Sequence, residues 1–300
     1  MVLGQLSLHY RLYLPSNLDR SKRLPLLMML HGCSQTALEF AEGTRMDSVA
    51  ERRHCAVLYP EQSKRFNSLR CWNWFAPDVL AGEGEAALLM HTVRHVMEHQ
   101  PIDPARLYVA GMSAGGAMAA VLCATHGDLI AACAIHSGIM FHAATNPLQA
   151  FEVMRHGAGG SPTLLAKTIA GARSTGKRLV PTLLIHGAAD ETVNPRNAEQ
   201  FVEQVGLLAR SLASNDGAVE LREEQWFEAG GRRYRQQDLY QGSELLVRSI
   251  VIEGLGHAWS GGNSKHQFFD PAGPDASELI IEFLLPSRLP EMEVGDTAKA

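Results

Sequence analysis

No stretch of this chain reaches the roughly 18 consecutive apolar residues of a membrane-spanning helix, which argues against a helical membrane protein. The opening residues, Met1-Val2-Leu3-Gly4-Gln5, lack the basic start and apolar core of a secretory leader. The expected location of the sequence as written is therefore the cytoplasm, or a secreted or periplasmic one if a leader has been removed. Excess charge is also missing. A formal net charge of −5 is too mild to mark a nucleic-acid or anionic membrane surface, so neither partner is expected. The five cysteines, Cys33, Cys55, Cys71, Cys123 and Cys133, form no C-x-x-C pair, which argues against a thiolate zinc site. There are no internal repeats, no low-complexity linkers and no shift of composition that would mark a second domain. One domain is expected over 1–286, with an insertion or cap at about 138–178 and a polar tail at 287–300.

What is present is an alternation of strand and helix patterns. Residues 6–14 alternate apolar and polar side chains, the period of a half-buried edge strand. Residues 24–30 are almost continuously apolar, as a strand covered on both faces should be. A helical stretch to about Arg53 follows, then a buried strand at 56–59 and a polar, aromatic loop at 60–84. Helical spacing returns with Ala86, Leu89, Val93 and Val96, while His91, His95 and His99 lie on another face. These histidines invite a metal reading. A solvated helix face is the better explanation, and no cysteine or carboxylate joins them in a known ligand spacing, so no metal is expected. Further strands are expected at 107–110, 130–135, 179–185 and 245–252, a hairpin across Gly230-Gly231, and a last helix at 276–285. The expected fold class is α/β, a mostly parallel central sheet with helices on both faces. Ligands of such a sheet bind at the carboxyl ends of its strands.

One segment organises the rest: Tyr108-Val109-Ala110-Gly111-Met112-Ser113-Ala114-Gly115-Gly116. A strand stops at a glycine, presents one serine, passes two more glycines and becomes an alanine-rich helix. This is the G-x-S-x-G elbow in its proper setting of strand before and helix after. Acyl transfer from serine needs a base to take its proton and a carboxylate to orient that base. Asp190 and His257 each follow an expected strand, and the chain order Ser, Asp, His is that of the α/β-hydrolases. Ser113, Asp190 and His257 are thus the candidate triad. Asp78 and His186 are weaker substitutes, and His186 reads as a strand-end residue behind Asp190. The oxyanion calls for two backbone donors, Ala114 and Cys33, with Ser34 as the next choice in that loop. Cys33 as a nucleophile is disfavoured because no histidine is placed to serve it. Cys33 and Cys71, both in loops near this site, can pair as a disulfide or stand as free thiols.

His31-Gly32-Cys33-Ser34-Gln35, Tyr59-Pro60-Glu61-Gln62, Cys71-Trp72-Asn73-Trp74-Phe75, the elbow, Asp190-Glu191-Thr192-Val193 and Gly256-His257-Ala258-Trp259 together resemble the polyhydroxybutyrate depolymerase family of esterases. The chain is similar too to feruloyl and acetylxylan esterases, over about residues 24–285. The resemblance implies an α/β-hydrolase fold, ester hydrolysis without a cofactor, and Ser113, Asp190 and His257 as the triad. Secreted polymer-degrading relatives carry a leader, a linker and a polymer-binding domain. None is found in this sequence, so the expected substrates are short-chain or hydroxyacyl esters and soluble oligomers. A feruloyl or acetylxylan esterase, a serine peptidase and a non-catalytic binding protein are the alternatives. Trp72, Trp74 and Trp259, with Ser34, are expected to line the substrate pocket, since an ester site needs apolar walls; the alternative for the tryptophans is a place in the core.

Overall fold

The structure, a computed structural model, describes residues 8–159, 178–212 and 218–290. Among the described residues, ten strands build the main sheet: β1 (His9–Tyr13), β2 (Leu24–Leu30), β3 (Ala56–Glu61), β4 (Ile102–Met112), β5 (Ala132–His136), β6 (Thr182–Gly187), β7 (Val219–Leu221), β8 (Gln225–Ala229), β9 (Arg232–Gln241) and β10 (Glu244–Ile252). Their spatial order is β1-β3-β2-β4-β5-β6-β10-β9-β7, with β8 also paired to β9. From β3 to β10 along that order every pairing is parallel. β1 runs antiparallel at one edge, and β9 with β7 and β8 runs antiparallel at the other. A separate short pair, β11 (Trp259–Ser260) and β12 (Phe269–Asp270), lies downstream.

The helices are α1 (Ala37–Thr44), α2 (Met46–Arg53), α3 (Pro77–Leu80), α4 (Gly84–His99), α5 (Ala114–Thr125), α6 (Pro147–His156), α7 (Arg196–Leu212) and α8 (Ala276–Leu284). They cover both faces of the sheet. Leu26, Met28 and Leu30 of β2 join a core with Leu89 and Val93 of α4, Ala117 to Leu122 of α5 and Phe201 of α7. Leu27 and Met29 point the other way, to Phe40, Met46 and Val49 of α1 and α2 and to Ile280, Ile281 and Leu284 of α8. The pleat thus sends alternate residues of one apolar run into two different cores.

Several expected boundaries move. The single helical stretch to Arg53 is two helices, because Arg45 adopts a left-handed conformation (φ 56°) between them. Its guanidinium donates to the carbonyls of Gly261 and Gly262, so a tertiary contact beside the His257 loop holds the corner. β4 runs beyond Ala110 to the residue before Ser113, and β5 includes His136. The hairpin turns at Gly230-Gly231, both at positive φ, but its first arm is divided into β7 and β8. Of the expected cap, α6 docks on α7, where Asn197 Nδ2 donates to the Val153 carbonyl at 3.0 Å; residues 160–177, and 291–300 of the tail, lie outside the described residues. Among the described residues, no helix is long and apolar enough to cross a membrane.

Leu26 and Leu27 are fully buried on opposite faces of the same strand. Leu26→Ala and Leu27→Ala should each cost about 2–5 kcal/mol, as core truncations of leucine do. Urea unfolding of the two variants checks this. A midpoint unchanged in either would contradict a two-faced core.

Candidate active site

Ser113 stands between β4 and α5 with φ 56° and ψ −121°, a strained conformation for a residue with a Cβ. The turn closes so tightly that a Cβ on Gly111 would lie 2.3 Å from the Gly115 carbonyl oxygen, and one on Gly115 would lie 2.1 Å from that of Leu30. Glycine at both positions is therefore a steric requirement. The Ser113 N–H donates to the His136 carbonyl at 2.9 Å, which ties the elbow to the end of β5. Its hydroxyl has no hydrogen-bond partner among the described residues, and the residue is 8% exposed at the N-terminus of α5.

The structure joins the other two candidates directly. His257 Nδ1 lies 2.7 Å from Asp190 Oδ2, whose side chain is fully buried. Asp190 Oδ1 accepts from the N–H groups of Thr192 and Val193 at 2.9 and 2.8 Å. Burial raises the Asp190 pKa, but hydrogen bonds from His186 and His257 outweigh it and hold the carboxyl well below the usual carboxylate range. The carboxylate is ionised, and the ring nitrogen facing it must carry the proton. That leaves Nε2 as a lone-pair base, the tautomer acyl transfer requires. The loops bearing the two residues are laced together, with Ala188 N–H on the Ile252 carbonyl and Ala189 N–H on that of Leu255, both at 2.9 Å. Asp78, the substitute carboxylate, is exposed on α3.

Three strand ends carry a buried histidine, and each ring acts as a bracket. His31 Nδ1 donates to the Gly32 carbonyl at 2.7 Å while Nε2 accepts from the Gln62 N–H at 3.0 Å. Burial pushes its pKa down to about 4. His186 Nε2 donates to the Val193 carbonyl at 2.8 Å and lies 3.5 Å from Asp190 Oδ2, pinning the aspartate loop. His136 stacks on Trp259 and accepts weakly from the Ser260 N–H at 3.4 Å, so one side chain links the elbow to the His257 loop. Burial is also the main cause of its pKa falling to about 3. Sequence reasoning passed over His136 by ending the strand at Ile135. The signal was present in the repeated pattern of an apolar run ending in histidine and a small residue, at His31-Gly32, His136-Ser137 and His186-Gly187.

The loop expected to supply an oxyanion donor is held from behind. A Cβ on Gly32 would stand 3.5 Å from Ser113 Cβ, so this loop abuts the elbow serine. The Gly32 N–H donates to Gln35 Oε1 at 2.8 Å, and the Ser34 N–H donates to the Leu69 carbonyl at 2.7 Å. Ser34 is thereby spent as a donor. The Cys33 N–H has no acceptor among the described residues, and Ala114 opens α5 with its N–H outside the helix ladder. Cys33 is bonded to Cys71 through a disulfide. Gln62 Nε2 donates to the Cys71 carbonyl at 3.1 Å and to Glu85 at 2.7 Å, and Glu85 accepts from the Asn73 backbone at 2.8 Å.

The tryptophans do not line a pocket here, and that expectation is corrected. Trp72, 1% exposed, donates its indole N–H to the His31 carbonyl at 3.1 Å. Trp259, fully buried, donates to Ser277 Oγ at 3.2 Å and packs on Phe40 and His136. Trp74 is 4% exposed against Phe75. All three brace the site from inside; Ser34 is exposed. The aromatic that faces outward is Phe268, 41% exposed, edge-on to the His257 ring at 6.1 Å and held at φ 67°.

The fold and this strand-end site define an α/β-hydrolase. An acetyl xylan esterase from Aspergillus awamori has the same fold, with a TM-score of 0.69 at 20% identity over 83% of this chain and 89% of its own. The family model described as Esterase PHB depolymerase matches residues 8–225, and the chain belongs to that family of ester hydrolases. The matched segment contains Ser113 and Asp190 and stops short of His257. Poly(3-hydroxyalkanoate) depolymerase C of Paucimonas lemoignei is 32% identical over 81% of this chain, a match spanning 59% of that relative. Feruloyl esterase B of Thermothelomyces thermophilus is 29% identical over 64% of this chain and 67% of its own.

Two outcomes are expected. The disulfide closes a loop with a sequence separation of 38, so Cys71→Ser should lower stability by about 2–4 kcal/mol. Because the Cys33 donor moves with it, turnover of p-nitrophenyl acetate should fall roughly 10-fold or more, part of the 10²–10³ that losing an oxyanion donor costs. Unaltered turnover would detach Cys33 from the oxyanion site. Acid sensitivity follows from the buried rings. The His31 pKa is depressed from 6.5 to about 4, so below 6.5 the unfolded chain binds a proton that the folded state refuses. His31 thus contributes stability in full above pH 6.5 that drains away toward pH 4. Nitrogen-15 NMR of the folded protein at pH 5 should show His31 and His136 uncharged, and a charged ring there would refute the assignment.

Proposed function

We propose that this chain is a serine carboxylesterase acting on short-chain or hydroxyacyl esters. The observation that carries the reading is the buried Asp190 carboxylate on His257 Nδ1, which readies the opposite ring nitrogen as a base at the same strand ends as the elbow serine. Ser113 Oγ attacks the ester carbonyl as His257 takes its proton. The N–H groups of Cys33 and Ala114 receive the developing oxyanion. Collapse of the tetrahedral intermediate expels the alcohol, protonated by His257, and leaves the acyl group on Ser113. Water then repeats the sequence with His257 as base and frees the acid. The Ser113 hydroxyl has no hydrogen-bond partner among the described residues, and catalytic hydrogen bonds of this kind tighten in the substrate complex.

Phe268 supplies an apolar contact beside the base, which suits an acyl or alcohol group with hydrocarbon character. Feruloyl and acetylxylan esterases among the relatives keep aryl and sugar esters as the second reading. A disulfide at the site fits an oxidising compartment, which favours the secreted or periplasmic alternative over the cytoplasm.

The test is a turnover screen with p-nitrophenyl acetate and butyrate, hydroxybutyrate oligomers, a feruloyl sugar ester, an acetylated xylan oligomer and a peptide amide. Ester cleavage without amide cleavage is expected. Ser113→Ala should lose on the order of a million-fold in kcat while remaining folded by circular dichroism. Phe268→Ala should raise KM for butyrate more than for acetate. No cleavage of any ester, or an active Ser113→Ala variant, would sink the proposal.

A further inference from the structure

We propose that His95, Glu98 and His99, at the C-terminal turn of α4, form a surface site for one divalent transition-metal ion of the zinc, nickel and copper kind. All three are exposed, and one ligating atom from each lies within 4.8 Å of the others. Among the described residues they are the only three histidine, cysteine or carboxylate side chains grouped in this way. The spacing is the reason: residues three and four apart on a helix share a face, so His95 meets both Glu98 and His99. The sequence shows no carboxylate in a known ligand spacing beside these histidines and a solvated face suffices there, whereas the fold brings Glu98 to the pair.

Two further observations favour a cation. The rings of His95 and His99 stand 4.3 Å apart, and His99 Nδ1 lies 2.8 Å from the His95 carbonyl oxygen. A carbonyl can only accept, so Nδ1 carries the proton and Nε2 is left as a bare lone pair. This backbone anchoring of the distal nitrogen is the arrangement that fixes the tautomer of metal-bound histidines. The site also sits at the negative end of the helix dipole, where positive charge is stabilised. Ligand bonds of 2.0–2.2 Å place donors about 3.3–3.5 Å apart, so exposed side chains need move only about 1 Å to close on an ion. Imidazole nitrogens with one carboxylate suit borderline ions over calcium or magnesium, and water completes the coordination.

The site is separate from the esterase chemistry. Glu85, which buttresses the oxyanion side, is at the other end of α4, about 21 Å away at 1.5 Å per residue. The chain has 13 histidines, so site-specific variants must carry the test. Untagged full-length protein is titrated with NiCl2, ZnCl2 and CuCl2 by calorimetry, alongside His95→Gln, His99→Gln, Glu98→Gln and, as a control one turn earlier, His91→Gln. One equivalent should bind to the parent protein. His95→Gln and His99→Gln should each weaken it at least about tenfold, Glu98→Gln less, and His91→Gln within about twofold. The Cu2+ form should show an electron paramagnetic resonance spectrum with two nitrogen ligands that collapses in the His95 and His99 variants. Ester turnover should be the same in all five proteins without metal. Equal affinity in the parent and in a His95→Gln/His99→Gln double variant would overturn the proposal, leaving these residues as a solvated face.

Discussion

The contact on which this architecture turns is the seating of the Gly115 backbone against the carbonyl oxygen of Leu30, where no Cβ can fit. It brings the first turn of α5 down onto the end of β2. Because β2 and β4 are neighbours, the loop leaving β2 is delivered to the serine leaving β4. Strain at Ser113 is the counterpart of that closeness. A positive φ at a residue with a Cβ persists only where the surroundings over-determine it, and β4, β5 and the glycine contacts do so together. The placement of Ser113 beside the two candidate oxyanion donors, Cys33 and Ala114, is thus a consequence of one steric condition.

A second constraint is electrical. Parallel strands end in carbonyl and amide groups that a buried loop must satisfy without water. Neutral histidine serves this purpose because its two nitrogens can donate on one side and accept on the other. His31 and His136 both do this, and each is kept neutral by its burial. His257 differs in having an ionised carboxylate on one nitrogen and no hydrogen-bond partner on the other among the described residues. The same residue type is a clamp at His31, His136 and His186 and the candidate base at His257, and the difference lies in what faces it.

Much of this was legible in the chain itself. The two-sided apolar run of β2, the elbow, and the order of Ser113, Asp190 and His257 depend on local pattern and on the rule that α/β sites gather at strand ends. What escaped depended on contacts distant in sequence. Arg45 breaks a helix because carbonyls more than 200 residues away receive its guanidinium. Trp72 and Trp259 suit the wall of a substrate pocket on sequence grounds, with the core as the alternative, because aromatic residues near a site suit an apolar ligand. Whether an indole N–H finds a buried acceptor, as both do, is invisible to composition. The motifs around Cys33, Gln62 and Cys71 announced a family, but their common purpose, one network behind one donor loop, emerges only when the loops are folded together.

That network also explains the direction in which the site faces. All three nearby tryptophans are turned inward, Trp72 and Trp74 on the side of the Cys33 loop and Trp259 behind the His257 loop. Hydrophobic contact near the base then falls to Phe268, which precedes the inward-packed Phe269 of β12. The Trp259 N–H holds the Phe268 carbonyl at 2.8 Å, and the Phe269 ring fills the space over Gly43. With the next residue pinned inside, the left-handed backbone at 268 directs its ring outward against His257. The sequence Phe268-Phe269 thereby splits into one aromatic for the core and one for the mouth of the site, and a conformational cost at 268 is accepted where it places an apolar surface beside the base.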